Sequence, residues 1–156
     1  YVRQHPSGEL NYRTVELHEY GAGGRLSDHQ HYDAGSLLTI DVMLSRRGTD
    51  GDFEGGQFRC PVHGDISTPL VEGQARTVEI DEGFAAPGDV LVFPSHKYHN
   101  VLPVTRGKRT VMVLELWNGP RKQCAHRCLD NTVAPCDFTL QKSQLGDFLA
   151  NVTMLG

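Results

Sequence analysis

The sequence predicts an all-β fold of the jelly-roll class, either a sandwich or a barrel, and two observations lead to this prediction. Short runs of β-branched and other apolar residues recur along most of the chain at the spacing of about 8–12 residues that is typical of such folds. Gly, Pro and Asp separate these runs, whereas the helical period of apolar residues is weak over most of the length. We therefore expect a small antiparallel domain with roughly seven or eight strands and little helix.

Each predicted strand is a short apolar or β-branched run that turn-forming residues separate from the next. In chain order the strands are Arg13–Tyr20, Leu37–Leu44, Gln57–Cys60, Arg76–Ile80, Asp89–Phe93, His99–Leu102 and Lys108–Trp117. The turns between them lie at Gly21–Gly24, Arg46–Gly51, Pro61–Gly64 and Pro87–Asp89. Arg106-Gly107 predicts a tight reversal immediately before the longest strand.

The length and composition favour a single globular domain over residues 1–156. We expect its core at about residues 13–117, followed by an irregular, cysteine-containing extension over 118–156 in which Gln141–Leu149 predicts a short helix. The net charge of −4 argues against a nucleic-acid partner, because such a partner requires a basic face. No apolar stretch approaches the ~20 residues of a membrane span.

One short segment with alternating ligand-type residues predicts a metal centre. It contains His29, His31 and Asp33, and alternate residues of an extended chain face the same side, so His31 and Asp33 can bind one ion together. His99, which begins a predicted strand after a turn, is the best candidate for a third ligand. Two imidazoles and one carboxylate on one face of a metal are the ligand set of non-haem Fe(II) oxygenases, whose open positions bind cosubstrate and O2.

An arginine downstream adds a second element to this predicted site. Arg109 lies ten residues after His99, and a strand, a turn and a return strand can bring its guanidinium back beside the metal. There it would bind the distal carboxylate of a dicarboxylic cosubstrate through two parallel hydrogen bonds. Arg109 alone would be interpreted as a solvated strand residue, and its combination with the three candidate ligands makes the cosubstrate role the better interpretation.

The ordered series of motifs resembles that of the 2-oxoglutarate- and Fe(II)-dependent dioxygenases, most closely their prolyl and lysyl hydroxylase branch. The resemblance covers about residues 20–117 and implies a double-stranded β-helix, which is a jelly-roll core open at one end. The matching stretches are His31–Ser36, Leu38–Ser45, Phe53–Phe58, Pro87–Ser95 and His99–Arg109.

The resemblance also implies roles for individual residues. His31, Asp33 and His99 match the iron ligands of the family. Arg109 matches the residue that binds the distal carboxylate of 2-oxoglutarate. Tyr20 lies near the position of a family tyrosine that borders this cosubstrate.

Two further expectations concern the walls of the implied cosubstrate pocket. Some relatives have a tyrosine near the position of Met43 that supports the same carboxylate, and a Met thioether cannot donate that hydrogen bond. Thr39, on the same predicted strand face, is our candidate for this task. The apolar walls of the pocket are expected to be formed by Val101, Val111 and Val113.

The predicted phase of two strands places carboxylates inside the fold. Asp41 alternates with Thr39 and Met43, and Glu115 shares a face with Arg109 on the last strand. Burial of an unpaired carboxylate is costly. Asp41 and Glu115 are therefore either substrate contacts or a sign that the predicted phase is wrong.

The cofactors that the resemblance implies are Fe(II), 2-oxoglutarate and O2, with ascorbate as an optional reductant. The implied reaction converts 2-oxoglutarate to succinate and CO2 and hydroxylates an aliphatic C–H bond. The carboxylate of Asp33 favours hydroxylation over halogenation, because halogenating relatives have a small residue at that position. The implied substrate is a peptidyl proline or lysine, with a free amino acid or another small metabolite as the alternative.

Three other interpretations stay open at the level of the sequence. His29-Gln30-His31 resembles the start of a cupin metal motif, although Ala34–Ser36 stands where a cupin has its glutamate. A non-catalytic binding module of a larger protein is also compatible with the fold class. The segment Cys124–Cys128 with Cys136 has a loose zinc-like spacing, for which structural cysteines or a disulfide is the better interpretation.

Overall fold

The computed structural model describes residues 10–62, 77–80, 83–119 and 121, and this part of the chain contains nine strands and no helix. The strands are β1 (Asn11–Tyr20), β2 (Leu38–Met43), β3 (Phe53–Gly55), β4 (Phe58–Pro61), β5 (Thr77–Ile80), β6 (Val90–Pro94), β7 (Asn100–Val101), β8 (Val104–Gly107) and β9 (Arg109–Trp117). The predicted all-β class is confirmed. The predicted helix Gln141–Leu149 and the cysteine-containing segment lie outside the described residues. Within the described residues there is no helix with the length and apolarity needed to cross a membrane.

The longest strand, β9, lies inside a four-stranded antiparallel sheet with the order β1-β9-β2-β6. β1 pairs with β9 along its whole length, from Asn11 opposite Trp117 to Tyr20 opposite Arg109. Two smaller sheets, β5-β4-β7 and β3-β8, cover the inner face of this sheet. The layers meet in the core, where the ring centroids of Phe58 on β4 and Phe93 on β6 are 5.2 Å apart.

Each of the seven predicted strands overlaps a strand of the structure, and two further strands were not predicted. β3 has only three residues, and β8 exposes three of its four, so neither strand has a period-two pattern of apolar residues. The expected reversal at Arg106-Gly107 is a bend through which the chain passes from β8 into the larger sheet. Gly107 has φ +74°, and its α-carbon approaches the carbonyl oxygen of Asp52, which leaves no room for a side chain.

The predicted phase of β2 and β9 is confirmed. Thr39, Asp41 and Met43 are buried on β2, and the odd-numbered residues of β9 from Arg109 to Trp117 are buried likewise. The apolar core that these strands share with the smaller sheets contains Met43, Phe53, Phe58, Cys60, Phe84, Phe93, Val104, Val111 and Val113. The outer face of the four-stranded sheet is apolar as well, because Val15, Leu17, Val90 and Val92 are exposed there.

A buried ion pair joins β1 to β9 at the end of the sheet away from Arg109. The Arg13 guanidinium donates to Glu115 Oε2 at 2.9 Å, and the Ser36 hydroxyl donates to the same oxygen at 2.5 Å. Glu115 is fully buried. Gly35, with φ +85°, lies so close to Arg13 that a Cβ would be 3.1 Å from Nη2. The buried carboxylate of Glu115 thus has a structural partner that the sequence analysis did not identify.

The Arg13–Glu115 pair predicts a stability difference between single and double variants. Arg13→Met leaves the buried Glu115 carboxylate without its guanidinium partner and is expected to lower the free energy of unfolding by about 3–5 kcal/mol. The double variant Arg13→Met/Glu115→Met removes both charges and should recover most of this loss. Urea denaturation followed by circular dichroism measures both. Equal losses in the two proteins would contradict a paired role for Glu115.

Candidate active site

His31, Asp33 and His99 come together although 66 residues separate Asp33 from His99. One ligand-type atom of each lies within 4.8 Å of the others. His31 Nε2 is 3.4 Å from Asp33 Oδ1, and His99 Nε2 is 3.9 Å from the same oxygen. The two imidazole rings meet nearly perpendicularly, with centroids 4.7 Å apart. Two nitrogens and one carboxylate oxygen therefore converge on one point.

Backbone hydrogen bonds hold the two ligand-bearing segments against each other. His31 and Asp33 lie between β1 and β2, and His99 lies immediately before β7. The Asp33 amide donates to the Ser95 carbonyl at 2.8 Å, and the His99 amide donates to the His31 carbonyl at 3.1 Å. These bonds fix the relative position of the two segments that carry the three side chains.

The surroundings of His99 leave its Nε2 atom available as a ligand. Nδ1 is 3.0 Å from the Lys97 carbonyl, and because a carbonyl only accepts, Nδ1 carries the proton. Phe58 stacks on the imidazole with a centroid distance of 5.2 Å, and Phe93 packs against its edge. Burial lowers the pKa of His99 despite the nearby Asp33 carboxylate. The ring is therefore neutral near neutral pH, and neutral imidazole is the form that binds metal ions.

Asp33 is held as an ionised ligand by groups on β2 and on the segment after β6. The Thr39 hydroxyl donates to Asp33 Oδ2 at 2.6 Å and is itself 2.9 Å from the Ser95 hydroxyl, which can donate to it in turn. Burial alone would raise the pKa of Asp33, but hydrogen bonds from His31 and Thr39 and the proximity of His99 outweigh it and hold the pKa below its usual value. Oδ1 remains directed toward the two imidazoles.

The donor set fits a divalent transition metal. Imidazole nitrogens suit iron, and two histidines with one carboxylate on one face are the arrangement of non-haem Fe(II) oxygenases. The hydrogen bonds to His99 Nδ1 and Asp33 Oδ2 are of the kind that orient metal ligands from outside the coordination sphere.

Arg109 is a buried cation with unused donors. It is only 2% exposed, and its Nε and Nη2 groups have no hydrogen-bond partner among the described residues. The guanidinium carbon lies 5.6 Å from the Tyr20 ring centroid and 5.7 Å from that of Phe84. Gly56, with φ +65°, lies against the Arg109 stem, since a Cβ there would be 3.0 Å from Cδ. Buried donors of this kind require an acceptor, and a carboxylate matches the geometry of the guanidinium.

One cavity of about 230 Å³ connects these groups. Of the residues predicted for the site, its lining includes His31, Asp33, His99, Arg109, Tyr20, Asp41, Val101, Val111 and Val113. Burial raises the pKa of Tyr20, so its hydroxyl remains a hydrogen-bond donor. Burial also raises the pKa of Asp41, to about 7, and the charge of Arg109 opposes this shift.

Thr39 and Glu115 do not line this cavity. Thr39 donates to Asp33 and is thus occupied by a metal-ligand candidate, which leaves the expected support of a cosubstrate carboxylate to another group. Glu115 instead pairs with Arg13, at the end of the four-stranded sheet that lies away from Arg109. A structural role explains its burial without a substrate contact.

Four residues that line the cavity were not predicted from the sequence, namely Glu16, His18, Leu26 and Phe58. Glu16 and His18 alternate with Tyr20 on β1, so a period of two counted back from Tyr20 was the available signal for them. Glu16 Oε2 and His18 Nε2 are 2.8 Å apart. No local signal in the sequence indicated Leu26 or Phe58.

The fold matches solved structures at low sequence identity. A 2OG-Fe(II) oxygenase family oxidoreductase from Burkholderia pseudomallei has a TM-score of 0.54 and 19% identity, and the match covers 70% of this chain and 44% of that one. EvdMO1 has a TM-score of 0.52 and 16% identity, with 70% of this chain and 28% of that one covered. AviO1 from Streptomyces viridochromogenes Tue57 has a TM-score of 0.50 and 16% identity, with coverages of 71% and 52%.

At these sequence identities, the matches give evidence about the fold alone. The matched region spans 44% of the Burkholderia protein, which is less than two thirds of its length. No family model and no curated protein matches the chain. The expected jelly-roll core is confirmed, and the resemblance to the 2-oxoglutarate- and Fe(II)-dependent oxygenases is confirmed at the level of the fold.

Metal binding provides a direct test of the three ligand candidates. His31→Ala removes one ligand nitrogen and is expected to abolish binding of Mn(II), an ion suited to such a site, as measured by isothermal titration calorimetry. His29→Ala is the matched control, because His29 is exposed and lies outside the cluster. Retained binding in His31→Ala, or its loss in His29→Ala, would contradict the ligand set.

The Thr39–Asp33 hydrogen bond predicts a weaker effect. Thr39→Val removes the donor that orients the carboxylate and is expected to reduce the affinity for Mn(II) by about 10–100-fold. Thr105→Val, an exposed threonine on β8, is the control and should bind as the unchanged protein does. Equal affinities in the two variants would show that Asp33 needs no support from β2.

Proposed function

We propose that this chain is the catalytic domain of a 2-oxoglutarate- and Fe(II)-dependent dioxygenase that hydroxylates an aliphatic C–H bond. One observation carries the proposal: the same cavity is lined by the cluster of His31, Asp33 and His99 and by the buried Arg109, whose Nε and Nη2 groups have no hydrogen-bond partner among the described residues. A metal ligand set with open positions and a carboxylate receptor in one cavity are the two parts that this reaction requires.

The chain's own residues would bind and orient the reactants. His31, Asp33 and His99 would hold the iron on one face. Arg109 would bind the distal carboxylate of 2-oxoglutarate and thereby direct its 2-oxo acid group toward the metal. Tyr20 lies beside the guanidinium and would border the cosubstrate.

Apolar residues would limit the access of water to the reacting atoms. The apolar residues that line the cavity include Val101 on β7, Val111 and Val113 on β9, and Phe58 on β4. Exclusion of water strengthens the electrostatic interactions inside and prevents side reactions. When bound, Fe(II) would supply the activation of O2, coupled to the oxidative decarboxylation of 2-oxoglutarate to succinate and CO2.

The proposed substrate is a peptidyl prolyl or lysyl residue, with a small metabolite as the alternative. This choice rests on the resemblance of the sequence motifs. The side chains of Glu16 and His18 in the cavity lining are 27% and 35% exposed, and we place the approach of the substrate beside them. Ascorbate is not part of the proposal, because no described residue points to a site for it.

The cupin-type ligand set has less support. It needs His29 beside His31, but His29 is exposed and does not belong to the cluster of ligand atoms in the described part of the chain. It would also leave the buried Arg109 without a task.

Cosubstrate turnover tests the proposed function. The purified protein with Fe(II), O2 and 2-oxoglutarate is expected to form succinate, detected by mass spectrometry, and to lose this activity with a chelator. Arg109→Leu should raise the KM for 2-oxoglutarate at least about 30-fold, because loss of a buried charge partner costs 2–5 kcal/mol or more. It should leave the affinity for Fe(II) unchanged.

The control for this variant is Lys108→Leu on the neighbouring residue. Lys108 is exposed and pairs with Glu19 on the surface, so its replacement should leave the KM as it is. Absence of iron-dependent succinate would favour a non-catalytic binding module. An unchanged KM in Arg109→Leu would remove Arg109 from the cosubstrate site.

A further inference from the structure

Asp41 is a buried carboxyl group that neither the metal cluster nor the core explains. The residue is 8% exposed, and it lines the same cavity as Arg109. No described residue donates a hydrogen bond to its side chain, and no ion pair joins it to Arg109. The two groups act on each other through space, and each retains hydrogen-bonding capacity for a guest between them.

The inward face of β2 offers no other donor for such a guest. Thr39 gives its proton to Asp33. Met43 has a thioether, which accepts weakly and cannot donate. Asp41 stands between these two residues on the same face, so it is the group on β2 that remains to accompany Arg109 in binding an acid.

A carboxylate bound at Arg109 would bring a second negative charge close to Asp41. Two carboxyl groups that share one site do not both ionise, and one of them retains a proton. We propose that Asp41 binds 2-oxoglutarate as a neutral carboxylic acid, donating its O–H to the distal carboxylate that Arg109 holds. Where Asp41 is ionised in the free protein, binding of the cosubstrate then takes up one proton from solvent. This inference rests on the proposed function and adds a residue to its cosubstrate site.

The electrostatic surroundings of Asp41 support this protonation state. Burial raises its pKa to about 7 already without a guest, Arg109 opposes the shift, and Asp33 reinforces it. The titratable groups that line the cavity with Asp41 are Glu16, His18 and Tyr20 from β1, Arg109 from β9, and His31, Asp33 and His99 from the metal cluster. On its other side β2 pairs with β6, where Leu91 lies opposite Asp41 and Phe93 faces the core, so the residues described on β6 bring no charge to Asp41.

The sign of the expected pH dependence follows from this shift. Below about pH 7 Asp41 is already neutral, so its contribution to the affinity for 2-oxoglutarate is constant. As the pH rises above the pKa of the free protein, Asp41 must first take up a proton, and the affinity falls by about tenfold per pH unit. The affinity stops falling when the pH exceeds the pKa of Asp41 in the complex.

The test is the binding of 2-oxoglutarate to the Mn(II)-loaded protein without O2, measured by calorimetry between about pH 6.5 and 9. Titrations in buffers with different ionisation enthalpies give the number of protons taken up. Asp41→Asn keeps an N–H donor that needs no proton, and Asp41→Val removes the donor. Glu19→Gln is the matched control, because it neutralises an exposed carboxylate of β1 that does not line the cavity.

We expect the unchanged protein and Glu19→Gln to take up about one proton per 2-oxoglutarate bound near the upper pH limit. Asp41→Asn should bind with a pH-independent affinity and no uptake. Asp41→Val should bind at least about tenfold more weakly than Asp41→Asn, which corresponds to the loss of about one hydrogen bond to a charged group.

Several outcomes would overturn this role. Proton uptake that persists in Asp41→Asn would assign it to another group, and pH-independent binding by the unchanged protein would show that Asp41 does not share a proton with the guest. Unchanged binding in both Asp41 variants would show that Asp41 does not contact 2-oxoglutarate and would point to a different ligand for it, such as a cationic substrate. In each of these cases 2-oxoglutarate still binds and the proposed function stands. No binding of 2-oxoglutarate at any pH would reject both.

Discussion

The register of β9 between β1 and β2 is the constraint on which the fold and the site both depend. It places Arg109 opposite Tyr20 at one end of the sheet and Trp117 opposite Asn11 at the other. Successive strand residues point to opposite faces, so a slip by one residue would turn Arg109 and Glu115 toward solvent. The buried Arg13–Glu115 pair works against such a slip, because only the observed register brings its two charges together.

The buried charges near the two ends of β9 differ in how they are paired. At the Glu115 end, a guanidinium and a hydroxyl satisfy the carboxylate, and the group contributes to architecture. At the Arg109 end, the guanidinium has neighbouring rings, and two of its donor groups find no acceptor in the described part of the chain. Proteins tolerate an unsatisfied buried ion only where the surrounding structure enforces it. This contrast separates a structural ion pair from a binding group on the same strand face.

Much of the fold and of the candidate site could be predicted from the sequence, and there are physical reasons why the rest could not. Alternation predicted the inward faces of β2 and β9, and motif order indicated the three ligands that the structure brings together. The partner of Thr39 was not predictable, because it depends on the path of the segment that carries Asp33. The partner of Glu115 lies 102 residues away in sequence. β3 and β8 escaped prediction because short strands at a sheet edge need no apolar period.

Gly56 illustrates how a residue without a side chain can govern a charged one. Its α-carbon stands so near the Arg109 stem that the stem is confined from that side, while Tyr20 and Phe84 flank the guanidinium. An arginine loses up to about 2 kcal/mol of rotamer entropy when it is immobilised. Here that loss occurs when the chain folds. Binding of an anion to Arg109 would therefore not have to immobilise this side chain. A larger part of the interaction energy would then appear as binding affinity.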